Sequence, residues 1–311
     1  GVYNVTFRAT DATLRDSEIV AITVLDAGNQ PPDQATIGPK STTEGALLTF
    51  VVTATDPDGT IPTLTTSTLP AGSTYVDSAN GRGRFTWTPG FTQSGTYNVT
   101  FRAQDATLRD TEVVTITVVD AGNQPPDQAP IGSRSVLENT NLNFAVTAID
   151  PDGTIPVLTA STLPSGATYV DSGNGRGRFN WTPSFTQSGS YSVTFRTFDG
   201  ALRDSEIVSF TVVDAGNQPP DQAIIGPKAT TEGVNLNFTT SAVDPDGTVP
   251  TLSASPLPTG ATFTNNGNGT GTFNWMPTFV QGGTYNVTFR ASDGLLQDTE
   301  RVTIVVNEAG N

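Results

Sequence analysis

The phrase Gly-x-Tyr-x-Val-Thr-Phe-Arg opens the chain at Gly1 and returns at Gly95, Gly189 and Gly283. The interval is 94 residues each time and never slips: Trp87, Trp181 and Trp275 keep it, as do Asp56, Asp150 and Asp244. A fixed period of this size requires one structural unit copied in tandem, so it limits the fold before composition does. The register divides the 311 residues into the tail of one repeat (1–29) and three complete repeats, 30–123, 124–217 and 218–311. Residues 1–29 hold only the last two strands of a repeat and cannot bury a core alone. They read as a window on a longer array; completion by a strand from another chain is the alternative.

Inside the second repeat the period changes to two. Leu142, Phe144, Val146 and Ala148 alternate with polar or small residues, as do Tyr191, Val193 and Phe195, and Val208, Phe210 and Val212. Alternation of this kind marks strands with one buried face. Weaker strands are predicted over 129–137, 156–161, 167–171 and 176–181. Turn signals separate them: Asp-Pro-Asp-Gly at 150–153, Leu-Pro-Ser-Gly at 163–166, Asn174-Gly175 and Ser188-Gly189. Seven strands without helical periodicity predict an all-β chain, a tandem array of Greek-key sandwiches. Tyr191 at the start of the sixth strand suits a tyrosine corner, with its phenol bonded back to nearby backbone. Trp181 reads as a core lid beside Phe179, against the alternative of an exposed platform for stacking sugars.

Charge and residue inventory remove whole classes of function. The net charge is −15 and Lys occurs only at Lys40 and Lys228, which leaves no basic footprint for nucleic acid or for an anionic membrane. There is no Cys and no His, so disulfides, thiolate metal sites and Ser-His or Cys-His nucleophiles are impossible. No apolar run approaches the roughly 20 residues needed to span a bilayer. Paired carboxylates invite a glycosidase reading, but the same acids recur at every joint and no cleft or second domain surrounds them. An enzyme is not expected.

Between repeats lies Asp-Ala-Gly-Asn-Gln-Pro-Pro-Asp, at 26–33, 120–127 and 214–221. The two prolines fix φ near −65° and hold the preceding Gln extended, so the joint is stiff. Asp150 and Asp152 lie in the loop after the second strand, and Asp199 in the loop after the sixth. In a sandwich of this type those loops share the end that faces the preceding linker, where Asp120 and Asn123 arrive. Several hard oxygens at one spot repel each other unless a cation sits among them. Calcium accepts six to eight oxygens with loose geometry and suits this set better than zinc. Turn chemistry explains each acid singly, but not their joint placement at one end and in the linker. Asp204 and Glu206, at the start of the last strand, read as solvated edge charges.

The ordered pattern of a Glu in the first strand, Asp-x-Asp-Gly, Phe-Arg-x-x-Asp and Asp-x-x-Asn-x-Pro-Pro resembles cadherin repeats and the related bacterial putative-Ig repeats. The resemblance covers every complete repeat and implies seven-stranded Ig/cadherin-like sandwiches with calcium between successive domains. Carried over residue by residue, it implies Glu138 as base ligand, Asp214 and Asn217 as linker ligands, and Asp244, Asp246 and Asp293 as top ligands of the last joint. The preceding joint would use Glu44, Asp120, Asn123, Asp150, Asp152 and Asp199. The first would use Asp26, Asn29, Asp56, Asp58 and Asp105. Two departures thin the ligand set: the linker has Ala-Gly where cadherins have further oxygen ligands, and Phe185-Thr-Gln-Ser188 replaces an acidic segment. One or two ions per joint are implied, bound weakly.

The expectation is therefore an extracellular structural or adhesive stalk, a rod with calcium-clamped joints, whose partners are neighbouring repeats or copies of itself in a fibre. The alternative is an array presenting a site for a surface glycan or protein many times. Sequons at Asn4, Asn98, Asn180, Asn237, Asn268 and Asn286 permit glycosylation of a secreted chain and weigh little.

Overall fold

The computed structural model describes residues 1–310; Asn311, the expected last residue of the third repeat, lies outside the described residues. Contacts divide the chain into two units. One holds Gly1–Gln124 with Pro151–Thr154, and the other holds Pro125–Asp150 with Ile155–Asn311. The described residues form strands and turns with no helix, so no helix is long and apolar enough to cross a membrane.

The first unit begins with a hairpin, β1 (Val2–Thr10) and β2 (Arg15–Thr23), paired antiparallel with Val5 opposite Val20. Its apolar face is bare: Phe7 and Ile22 are 57% and 48% exposed, while Phe101 and Ile116, one period later, are fully buried. A sandwich follows. Its strands are β3 (Asp33–Gln34), β4 (Lys40–Thr43), β5 (Leu48–Thr55) and β6 (Thr63–Thr66). They continue as β7 (Thr74–Asp77), β8 (Arg82–Trp87), β9 (Gly95–Gln104) and β10 (Arg109–Val119). One sheet runs β3-β5-β8-β7 and the other β4-β10-β9-β6, the seven-stranded Ig arrangement with its first strand shared between sheets.

The second unit contains two more sandwiches of the same order. The first has β11 (Asp127–Gln128), β12 (Arg134–Leu137), β13 (Leu142–Ile149), β14 (Val157–Ala160), β15 (Thr168–Asp171), β16 (Arg176–Trp181), β17 (Gly189–Phe198) and β18 (Arg203–Val213). The next has β19 (Asp221–Gln222), β20 (Lys228–Thr231), β21 (Leu236–Val243), β22 (Thr251–Ser255), β23 (Thr262–Asn265), β24 (Thr270–Trp275), β25 (Gly283–Ser292) and β26 (Gln297–Asn307).

The predicted inward faces are the observed ones. Val146, Val193, Phe195, Val208, Phe210 and Val212 are buried in one core with Phe179 and Trp181. Phe179 stacks on Phe210 at 5.2 Å and Trp181 meets Tyr191 edge-on at 5.0 Å, contacts worth roughly 0.5–1.5 kcal/mol each beyond burial. The tyrosine corner is present, since the Tyr191 phenol donates to the Gln187 carbonyl at 3.0 Å. Trp181 is fully buried and its indole N–H donates to Ser165 O at 3.1 Å. Trp87 and Trp275 are buried likewise, so the sugar-stacking platform is excluded at all three tryptophans. The two lysines have a packing role: Lys40 and Lys228 lie 5.5 and 5.3 Å from the Phe50 and Phe238 ring centres, and Arg134 takes the same place over Phe144.

Two sequence expectations are corrected. The predicted first strand, 129–137, is not continuous. β11 pairs antiparallel with β13, then the chain crosses to the other sheet, where β12 runs parallel to β18. Gly132, at φ +70°, makes the crossing, a backbone conformation open to Gly at little cost. The crossing releases amides from the ladder, and Asp204 and Glu206 receive them. Gln128 N–H donates to Asp204 at 2.9 Å, while Ile131 and Gly132 N–H each donate to Glu206 at 2.7 Å. The solvated-edge reading of these acids was wrong. The signal was present in the sequence: Asp204 and Glu206 share the strand parity of Val208, Phe210 and Val212, which turns them inward. Asp110 and Glu112, and Asp298 and Glu300, serve the same amides in the other repeats.

Substitution at two positions should shift stability in opposite directions. Glu206→Gln leaves one of two crossover amides facing an NH₂ group and should lower the urea midpoint, by about 2 kcal/mol in stability. The Tyr169 phenol is buried without a hydrogen-bond partner, and Phe263 occupies the same place in the third repeat. Tyr169→Phe should therefore raise stability by about 1 kcal/mol. An unchanged midpoint for the first variant, or a fall for the second, refutes the respective assignment. Acrylamide should leave tryptophan emission unquenched until the chain unfolds.

Candidate functional site

The last joint lies within the second unit and can be followed atom by atom. Its linker starts with an Asx turn, in which Asp214 Oδ1 accepts Gly216 N–H at 2.8 Å. Buried Glu138 anchors that turn, accepting Ala215 N–H at 3.1 Å on one oxygen and Gln187 N–H at 3.1 Å on the other. The Gln218 side chain braces the linker from within through Gly216 O at 2.9 Å.

Two loops of the third repeat receive the linker. Asn217 Nδ2 donates to Asp293 Oδ2 at 2.7 Å, and Gln218 N–H donates to Asp246 Oδ2. The Asp293 carboxyl lies below its ordinary value of 3.8, chiefly through the Leu296 amide, then the Asn217 side chain and the Leu295 amide. Asp244–Gly247 form a tight turn closed by Gly247 N–H on Asp244 O at 3.0 Å. Gly247 has φ +83°, and a Cβ there would come within 3.2 Å of Thr186 Cγ2. Conformation thus favours glycine here, and the second repeat leaves little room for a larger side chain. Asp244 is buried; its Oδ1 accepts Asp246 N–H at 2.8 Å, while its Oδ2 is buried without a hydrogen-bond partner.

The remaining predicted residues sit within their own units. In the first unit Asp26 Oδ1 accepts Gly28 N–H, and Asn29 Nδ2 donates to Asp105 Oδ2 at 2.8 Å and Thr107 Oγ1 at 3.0 Å. Amides of Leu108 and Thr107 depress the Asp105 carboxyl, with a smaller contribution from Asn29. Asp58 accepts Gln30 N–H, and Asp56 accepts Asp58 N–H and the Thr60 hydroxyl. Glu44 gathers three amides, from Gln93, Ser94 and Ala121, at 2.6–3.2 Å. Asp120 closes its own turn on Gly122 N–H, and Asp152 accepts Gln124 N–H. Asp199, in the second unit, accepts the amides of Ala201 and Leu202. Asn123 is exposed and Asp150 is buried.

Among the described residues no group of three or more His, Cys, Asp or Glu side chains is placed to hold a metal ion. Carboxylates of the last joint face N–H donors at Asp214, Asp246 and Asp293, whereas Asp244 Oδ2 is buried without a hydrogen-bond partner. Sequence reasoning passed over Gln30, Gln124 and Gln218, whose amides link each linker to an Asp-Pro-Asp-Gly loop. Their recurrence at one position before Pro-Pro was the available signal.

No curated protein matches this sequence. Similar solved structures include an endo-fucoidan hydrolase of glycoside hydrolase family 107, at 19% identity and TM-score 0.35, covering 90% of this chain and 45% of that one. Protocadherin Gamma B7 extracellular cadherin domains 1–4 are 16% identical at TM-score 0.32, covering 98% of this chain and 83% of theirs. An I-band fragment from titin is 14% identical at TM-score 0.26, covering 89% and 99%. This chain thus spans less than half of the hydrolase. Identities and scores this low carry no conclusion about activity or ligand. The family model described as Putative Ig domain (He_PIG) matches residues 31–119, 125–213 and 221–307. These three matches cover most of the chain, which belongs to the Putative Ig domain family.

Proposed function

We propose that the chain is a non-enzymatic segment of an extracellular structural or adhesive stalk, with Ig-like repeats as spacers and calcium stiffening the joints between them. The tandem Ig-like architecture supports the spacer role: three sandwiches of one strand order follow one another along the chain. The observation that carries the calcium reading is Asp244 Oδ2, a buried carboxylate oxygen without a donor. Burying such an oxygen is costly unless a proton donor or a cation compensates it.

The residues fit calcium in part. Asp246 and Asp293 stand in the two loops that receive the linker, and Asn217 would contribute its amide oxygen if the amide turned over. Glu138 and Asp214 would hold the linker start in place, as their hydrogen bonds already do. Calcium would supply charge compensation and a tie between repeats, with a dissociation constant on the order of 10⁻⁴ to 10⁻³ M, usual for extracellular modules. Asp26, Asn29, Asp56, Asp58 and Asp105 would act in the same way at the joint within the first unit. The neighbours of each repeat would be other repeats or copies of the chain in a fibre.

Thermal melts of the whole chain with millimolar calcium and with EGTA test the calcium reading. At ten times the dissociation constant a bound ion adds about 1.4 kcal/mol, which moves the melt by a few degrees. Asp244→Asn should reduce that shift, since it keeps Oδ1 but removes the charge. A melt indifferent to calcium in the parent chain eliminates the metal and leaves the stiffness to the Pro-Pro pair and the linker hydrogen bonds.

A further inference from the structure

We propose that the first and second repeats each carry, on the outer face of the sheet that contains β8 or β16, an arginine site for anionic polysaccharide, and that the third repeat lacks it. Strand parity and register make the face. Gly83 and Phe85 point into the core, so Arg82 and Arg84 point out together, about 7 Å apart at ~3.3 Å of rise per residue. Both are exposed, and β8 is an inner strand of its sheet, flanked by β5 and β7. Arg176 and Arg178 repeat the arrangement on β16, between β13 and β15.

The neighbours in register make these guanidiniums available. Arg84 stands opposite Val51 on one side and Val76 on the other, which are 47% and 62% exposed. Arg178 stands between Ala145 and Val170. None of these side chains accepts a hydrogen bond, so none of them competes for the planar donor groups of Arg84 and Arg178. Arg82 and Arg176 have threonines beside them, Thr53 and Thr147. In the third repeat the same row is Thr239, Thr272 and Thr264, and Thr270 replaces the other arginine. The change is concerted: the arginines and their aliphatic flanks are lost together, while the core beneath is retained. That argues against arginine as a general requirement for solubility of this sheet face.

Charge complementarity selects the ligand. The chain as a whole is at −15, and screening over about 8 Å at physiological salt lets a local cationic pair act within that field. Guanidinium pairs bind sulfate and carboxylate groups in bidentate fashion. Two cations per face are too few for the phosphate tracking that nucleic acid requires. The face offers no exposed aromatic or long apolar side chain in these rows to enter a bilayer. A flexible chain with regularly spaced sulfates or carboxylates matches a flat row of guanidinium, Val and Thr.

The whole chain, passed over matrices of dextran sulfate, alginate and uncharged dextran at low salt, reads the site directly. The chain should be retained on at least one of the two anionic matrices and eluted by salt, and should pass through uncharged dextran. The variant with Arg82, Arg84, Arg176 and Arg178 all changed to Thr uses residues that the third repeat already carries there. It should keep the parent melting temperature and bind dextran sulfate about tenfold more weakly. The reverse graft, Thr270→Arg with Thr272→Arg, should strengthen binding. Flow-through on both anionic matrices, unchanged retention of the four-Thr variant, or stronger binding to DNA or to phosphatidylserine vesicles would each overturn the proposal.

Discussion

Every backbone N–H that leaves a strand ladder must find another acceptor, and in these sandwiches carboxylates meet that demand. Glu206 holds the chain where it crosses between sheets, Glu138 ties the linker start to the loop before β17, and Asp246 accepts the first amide after Asn217. A carboxylate presents two oxygens and several lone pairs without a donor of its own, so it can take two or three amides where an amide side chain would take one. Hydrogen bonds to a charged acceptor are worth roughly 1.5–3 kcal/mol, about twice the neutral kind. Much of the net charge of −15 is thereby explained by folding demands, independently of any partner.

The same economy shapes the joints. A linker of Asp-Ala-Gly-Asn-Gln-Pro-Pro-Asp is short and has two residues without freedom in φ. Within the second unit its amides and its Asn217 side chain bond both to the repeat it leaves and to the repeat it enters. Glycine at 247 lets Thr186 of one repeat touch the turn of the next. The joint is thus an ordered element of the fold, and a cation at Asp244 would add to contacts that already exist.

Where the third repeat differs from the others, the positions sort by what the fold needs. Phe263 replaces a tyrosine whose hydroxyl has no partner, and Thr270 and Thr272 replace outward arginines. Trp275, Phe273, Val287 and Phe289 stay buried, as their counterparts are. Lys228 keeps its place over Phe238 although lysine is otherwise almost absent. Core and amide acceptors persist because a cavity or an orphaned N–H costs more than 1 kcal/mol, whereas the outer faces are free to diverge toward different surfaces.

The 94-residue period, the inward faces, the turns and the tyrosine corner were all legible in the sequence, because strand parity and turn chemistry are local properties that survive without knowledge of the fold. Tertiary structure alone decided the rest. The break of the first strand into β11 and β12 depends on which sheet offers an edge at each point. The duties of Asp204 and Glu206 depend on amides more than 70 residues away in the chain. That Asp293 meets Asn217 while Asp244 Oδ2 meets no donor is a matter of where three separate segments come to rest. Sequence spacing can announce that acids will gather at one end of a domain. Which of their oxygens face amides, and which is buried without a donor, follows only from the closed geometry.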